Sequence, residues 1–160
     1  MEIPRTYGEA KTSPCAVQWK EAIRRDLRSH FSNHTWDAVR RPFGANVIGC
    51  KWVFTMKRDG EGNIVRYNAR LVAQRFHQRY GVDYWDTYSP VPSLNTVRVF
   101  LAMCCQRGHL IRQLDVKTAF LNGDLEETVF MRAPEGINLG EDIVCQLRRS
   151  IYGLKQAAAV

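Results

Sequence analysis

Two alternating runs around a glycine-rich turn constrain this chain more than any other feature. In Lys51-Trp52-Val53-Phe54-Thr55-Met56-Lys57, the apolar Trp52, Phe54 and Met56 fall on one face of a two-residue period. Asp59-Gly60-Glu61-Gly62-Asn63 is a cluster of turn residues. Alternation then resumes from Ile64 to Ala73. Val65, Tyr67, Ala69, Leu71 and Ala73 share one side; Arg66, Asn68 and Arg70 share the other, with Ile64 and Val72. The pattern predicts a β-hairpin with one buried face and one basic face.

Helical signals stand on either side of this hairpin. Ser13-Pro14 is a helix start, with Ser as N-cap and Pro in the first turn. Trp19, Ile23, Leu27 and Phe31 then recur every four residues. Arg24, Arg25 and Arg28 fall largely on other, solvated faces, and Asn33-His34-Thr35-Trp36 ends the helix. After an aromatic loop from Gly81 to Pro92, Ser93 or Asn95 caps a second helix with a stripe of Val97, Phe100, Leu101 and Cys104, closed by Gly108. A short strand is expected over Leu110 to Val116, then a helical turn through Ala119-Phe120-Leu121. Further strands are expected at Thr128–Arg132 and Ile143–Leu147, and a final helix near Ser150. Helices and short strands mix without a βαβ rhythm, so the fold class is α+β.

Bulk properties add bounds. A chain of 160 residues makes one domain and buries a real core. No apolar run approaches the ~20 residues of a membrane helix, and no secretory signal is legible, so an intracellular location is expected. The five cysteines form no Cys-x-x-Cys pair and have no histidine at zinc-finger spacing; they read as reduced and mostly buried. A net charge of +7 attracts polyanions, among which nucleic acid is the commonest inside cells.

Specific words carry the reading further. Lys51-Trp52-Val53-Phe54 resembles a KWVFK box, and Arg66 to Ala73 resembles RYKARLVA. Gly81-Val82-Asp83-Tyr84 with Thr87-Tyr88-Ser89-Pro90-Val91 resembles GxDYxxTFSPV. Gln113 to Gly123 resembles QLDVKTAFLNG, and Ser150 to Ala157 resembles SLYGLKQA. In this order and spacing, from about Trp19 to Ala157, the boxes resemble the reverse transcriptase region of copia-type retrotransposon Pol polyproteins. The resemblance implies a partial right-hand polymerase fold, the fingers hairpin and the first part of the palm. It divides the chain into a tail (1–12), a fingers and partial palm region (13–157) and an off-pattern end (158–160).

The resemblance also implies roles. Such a polymerase joins a primer 3′-hydroxyl to the α-phosphate of a deoxynucleoside triphosphate on an RNA or DNA template, with two Mg²⁺ ions as cofactor. Mg²⁺ takes hard oxygen ligands, here Asp115 as the catalytic carboxylate and Val116 through its backbone carbonyl. Read without the family, Asp115 is a cap for the turn that follows it. Phe120 lies under the sugar and rejects a ribose 2′-hydroxyl, a role that plain core packing does not exclude. Arg70 lies over the triphosphate, for which a planar guanidinium is suited. Gly153 and Gln156 touch nucleotide and template. By their charge alone, Arg66, Arg75 and Lys155 are candidate nucleic-acid contacts.

Departures from the family pattern are informative. Asn68 stands where the family usually has lysine, which weakens a triphosphate clamp, and Arg75 stands where it usually has glycine. Ala158-Ala159-Val160 replaces Pro-Arg-Ala-Trp, and the 160 residues hold no Tyr-x-Asp-Asp box. Asp124, Glu126 and Glu127 read as a solvated turn rather than substitute ligands. One carboxylate does not hold two ions ~3.5–4 Å apart, so the expectation is a shortened copy, inactive alone. The competing readings are a non-catalytic nucleic-acid-binding module using Arg66, Arg70, Arg75 and Lys155, a domesticated fragment binding a protein through Tyr84-Trp85, and a pseudogene product with exposed sheet edges that associates.

Overall fold

The computed structural model describes residues 2–89, 91–114, 116 and 119–159. Among these residues, three α-helices run Tyr7–Thr12 (α1), Ala16–Ser32 (α2) and Leu94–Gln106 (α3). Six strands run Trp36–Arg40 (β1), Val47–Ile48 (β2), Cys50–Arg58 (β3), Ile64–Ala73 (β4), Phe130–Met131 (β5) and Ile143–Leu147 (β6). The chain is α+β, as its pattern predicts. β3 and β4 form a two-stranded antiparallel ribbon, and the other four strands form a sheet in the order β1-β6-β5-β2. Gly49 links β2 to β3, so the chain passes from one sheet to the other within a single residue.

The hairpin forms with Trp52 opposite Leu71, Phe54 opposite Ala69 and Met56 opposite Tyr67, but Val65, expected on the buried face, is 61% exposed where the register shifts between Lys57 and Arg58. Asp59 organises its turn, accepting hydrogen bonds at Oδ1 from the Glu61 and Asn63 backbone N–H groups, while Gly62 takes a φ of 89°. The apolar face is covered by α2. Trp19 is 1% exposed and stands edge-on to Phe54 at 5.3 Å and to Tyr67 at 4.8 Å. Losing a buried ring of this size costs about 3–5 kcal/mol. The core continues through Ile48, Leu71, Val129, Met131, Cys145, Leu147 and Ile151 into the four-stranded sheet.

The outer edge of β4 finds partners away from β3. Asp26 Oδ2 on α2 accepts from the Leu71 N–H at 2.9 Å, and the Tyr152 carbonyl accepts from the Ala73 N–H at 2.7 Å. An edge strand whose inward-facing donors are satisfied in this way is not a template for further pairing.

Several expectations are corrected. Ser13 does not cap α2: its Oγ donates to the Ala10 carbonyl and closes α1, and α2 starts behind Cys15 with no side-chain cap. The stretch read as a tail contains α1, whose Ala10 is buried. Of the α2 stripe, Trp19 and Ile23 are buried and Phe31 is exposed. Ser93 is the cap of α3, accepting from the Thr96 N–H, yet of its apolar stripe only Cys104 is buried. Residues 110–114 and 116 form no strand, because no edge among the described residues pairs with them; Asp115 lies outside the described residues. The strand expected over Thr128–Arg132 is reduced to Phe130–Met131, paired to both β2 and β6. No helix follows Ser150 among the described residues. Gly153 at φ 90° breaks the run into isolated turns through Ala159. β1 carries no clear period in the sequence and forms by pairing with β6.

Of the cysteines, Cys15, Cys104 and Cys145 are buried, Cys50 is half-buried and Cys105 is exposed, and none is in a disulfide. Burial, helped by nearby Glu135, pushes the Cys50 thiol up to about 11, and burial with Cys50 beside it pushes Cys145 up to about 12. Both stay protonated near neutrality and act as packing groups. Among the described residues, no helix is long and apolar enough to cross a membrane.

Candidate active site

The outer face of the hairpin is polar and cationic because the two-residue period sends every second side chain away from α2. Lys57 stands directly opposite Arg66, Thr55 opposite Asn68, and Val53 opposite Arg70. Like charges facing each other across a ribbon repel, and an anion between them relieves that repulsion. Arg66 and Arg70 are exposed and Asn68 is half-buried.

At the base of the hairpin a second segment closes on this face. The Tyr152 carbonyl is bonded to Ala73, and Gly153 lies so close that a Cβ there would collide with the Ala73 carbonyl oxygen. This contact delivers the Tyr152 ring to the hairpin, where the Arg70 guanidinium lies 4.9 Å from the ring centroid, a cation–π contact. Phe120, in the 3₁₀ turn Ala119–Asn122, meets the same ring edge-on at 4.8 Å and 80°. Arg70 and Phe120 therefore converge on the Tyr152 ring, which Gly153, packed against Ala73 and Val72, holds beside the hairpin.

The remaining candidates lie differently. Gln156 is 1% exposed and its amide is turned inward: Nε2 donates to the Asp83 carbonyl at 2.8 Å and lies 3.4 Å from Glu127 Oε2. Its Oε1 accepts from Gln78 Nε2, and Gln78 Oε1 accepts from the Lys155 N–H. Lys155 Nζ donates to Tyr84 Oη at 2.8 Å. Arg75 is exposed in the 3₁₀ turn Arg75–His77. Val116 is exposed, and Asp115 is outside the described residues.

The nearby acids are engaged elsewhere. Asp124 pairs with Arg149 at 2.7 Å, and Glu127 faces Gln156. Among the described residues there is no group of three His, Cys, Asp or Glu side chains that could hold a metal. Sequence reasoning missed Tyr152, Gln78 and Asp83. The available signal for Tyr152 was an aromatic residue directly before a glycine within a recognised box.

The model of the reverse transcriptase (RNA-dependent DNA polymerase) family matches residues 33–160. The chain belongs to this family. Its copia-type character shows in its relatives. The chain is 40% identical, over 96% of its length, to the retrovirus-related Pol polyprotein from transposon TNT 1-94 of Nicotiana tabacum. It is 43% and 42% identical, over the same share, to those from transposons RE2 and RE1 of Arabidopsis thaliana. The chain spans about a tenth of the length of these curated relatives, 12%, 11% and 10% respectively. No solved structure matches it.

Reverse transcriptases in general use a divalent metal, a nucleic-acid template and deoxynucleoside triphosphates. Among the described residues Asp124 pairs with Arg149 and Glu127 faces Gln156, while Asp115, the carboxylate expected to bind metal, lies outside them.

Proposed function

We propose that residues 13–157 are the fingers hairpin and first palm segment of a right-hand RNA-directed DNA polymerase, and that the hairpin's outer face receives the incoming deoxynucleoside triphosphate. The observation that supports this reading is the meeting of Arg70 and Phe120, distant in sequence, on the ring of Tyr152. A guanidinium fixed over a ring offers its planar donors to phosphate oxygens. A bulky ring beside it is placed to reject a 2′-hydroxyl. In this reading Gly153 lets the nucleotide-facing segment approach the hairpin, and Gln156 braces that segment from below. Arg66, Arg75 and Lys155 supply positive charge for the nucleic-acid backbone.

Asp115 is the metal-binding carboxylate of this proposal, with Mg²⁺ the ion and the Val116 carbonyl a further ligand. The partner carboxylates must come from outside these 160 residues, so this polypeptide alone adds no nucleotides.

Titration of a fluorescent deoxynucleoside triphosphate into the chain bound to a primer–template duplex tests the assignment. Arg70→Ala should weaken triphosphate binding by about tenfold or more, the scale of a lost charged hydrogen bond. Phe120→Ala should leave deoxynucleotide binding and narrow its preference over the ribonucleotide. Equal affinity in parent and Arg70→Ala would sink the reading. Primer extension with Mg²⁺ should show no product; incorporation that disappears in Asp115→Asn would overturn the statement about carboxylates.

A further inference from the structure

α1 packs beside the N-terminal part of α2, and a groove of about 620 Å³ lies between them. The loop at Gly136 closes one end. It comes so near α1 that a Cβ there would stand 2.6 Å from Tyr7 Oη. The Glu135 carbonyl accepts from Trp52 Nε1 at 3.0 Å, which pins this loop to the hairpin. The walls are therefore set before anything binds.

The floor of the groove is apolar. Ala10, Trp19 and Ile23 are buried beneath it, and Leu27 is half-buried at its side. Val17 on the wall is 79% exposed. Val17, Lys20, Arg24 and Leu27 follow one another at spacings of three and four, so they share one face of α2.

The rim is cationic. Lys20 and Arg24 lie one turn apart on α2, with Lys11 on the α1 side, and all three are exposed. Lys11 Nζ is 5.7 Å from the Tyr7 ring centroid. Among the described residues no acid lines the groove. Glu21 on α2 is 4.0 Å from Arg28, and Asp26 is bonded to the Leu71 N–H. Neither Lys20 nor Arg24 makes an ion pair among the described residues. Like charges one turn apart repel, and a carboxylate placed between them relieves the repulsion.

Apolar floor and cationic rim together select an occupant. A phosphate backbone would meet the cations but leave Val17 and the floor in water. The groove walls are helices with their backbone groups bonded internally, so an extended peptide finds no ladder to join. An amphipathic helix brings a satisfied backbone and lays its apolar face into such a groove. From Val17 to Leu27, α2 rises about 15 Å, the length of about three turns of a helix lying alongside. Cations on the rim call for acids on the flanks of that helix. We propose that the groove between α1 and α2 is a docking site for an acidic amphipathic helix of a protein partner. Its apolar side chains would cover Val17, Trp19 and Ile23, and its carboxylates would meet Lys11, Lys20 and Arg24. None of these residues belongs to the nucleotide face, so this proposal does not draw on the polymerase reading.

Selection of a phage-displayed library of helical peptides, about 15 residues long with their faces randomised, against the full chain tests it. Enriched sequences should carry Leu, Ile or Phe at helical spacing with Asp or Glu alongside. In fluorescence anisotropy, a labelled enriched peptide should bind more weakly as salt rises. Val17→Glu should weaken that binding by about tenfold or more, because its carboxylate meets the acids of the peptide. Val17 is exposed and glutamate is a good helix former, so the melting temperature of this variant should match the parent. Lys20→Glu with Arg24→Glu should reject the peptide and accept its counterpart with lysine in place of each acid, an exchange that misfolding does not produce. Arg40→Glu with Arg41→Glu, the same change of charge at exposed positions elsewhere, should change nothing. Enrichment of basic or uncharged peptides, no enrichment, or equal binding by Val17→Glu would overturn the proposal. Oligo-dT binding that disappears in the charge-reversed variant and survives in Val17→Glu would overturn it in favour of a phosphate contact. Dimerisation abolished by Val17→Glu would overturn it in favour of a second copy of this chain.

Discussion

Gly153 shows how much one residue decides. Its φ of 90° is in the left-handed region, and its missing Cβ leaves room for the Ala73 carbonyl and for Val72 Cγ1. A left-handed backbone costs an L-residue about 1–2 kcal/mol before any clash. Gly153→Ala adds a contact with backbone that has no way to yield cheaply. The variant should lose about 2 kcal/mol or more of stability in urea denaturation. An unchanged midpoint would show that the turn relaxes freely. The family resemblance drew attention to this glycine as a nucleotide contact, but the reason only glycine fits is visible in the approach of a strand 80 positions earlier (153 − 73).

Among the elements, the hairpin and α2 behave as a unit. Asp26 sits between them, bonded to the Leu71 N–H and 3.4 Å from His30 Nε2. Asp26→Ala leaves the Leu71 donor without its acceptor beneath α2, which costs about 1–3 kcal/mol. The Leu71 amide should then exchange with deuterium faster than its β4 neighbours, and Asp26→Asn, which keeps an oxygen, should lose less. Equal exchange in parent and Asp26→Ala would mean the helix does not hold this edge. The hairpin was legible because its signal is local: alternation, turn chemistry and register lie within 51–73. β1 and β2 were not legible because they exist by pairing with β6 and β5, which no local period encodes. The expected strand over Leu110–Val116 failed for the converse reason, since a strand-like run needs a neighbour to become a strand.

At the scale of the whole molecule, the core lies between α2, the hairpin and the four-stranded sheet, and α3 stands apart from it. Phe100 is 58% exposed and Leu101 42%, with Leu110 and Leu114 nearly bare beyond the helix. Apolar surface of this extent favours association in water. The chain should show concentration-dependent sedimentation, and Phe100→Ser with Leu101→Gln should reduce it. A monomer at all concentrations in both forms would show that α3 finds cover. A helical stripe announces that a face is to be buried; it does not name the surface that buries it.

From residue order alone came the α+β class, the hairpin with its buried and basic faces, the family, and the identity of Arg70, Phe120 and Gly153 as residues of interest. Short-range periodicity and contiguous motifs carry that information because they act within a few residues along the chain. Only the three-dimensional arrangement decided that Arg70 and Phe120 share the Tyr152 ring, that Gln156 faces inward, and that Lys11, Lys20 and Arg24 border one apolar groove. Those facts depend on contacts between distant segments, whose free energy no local pattern records.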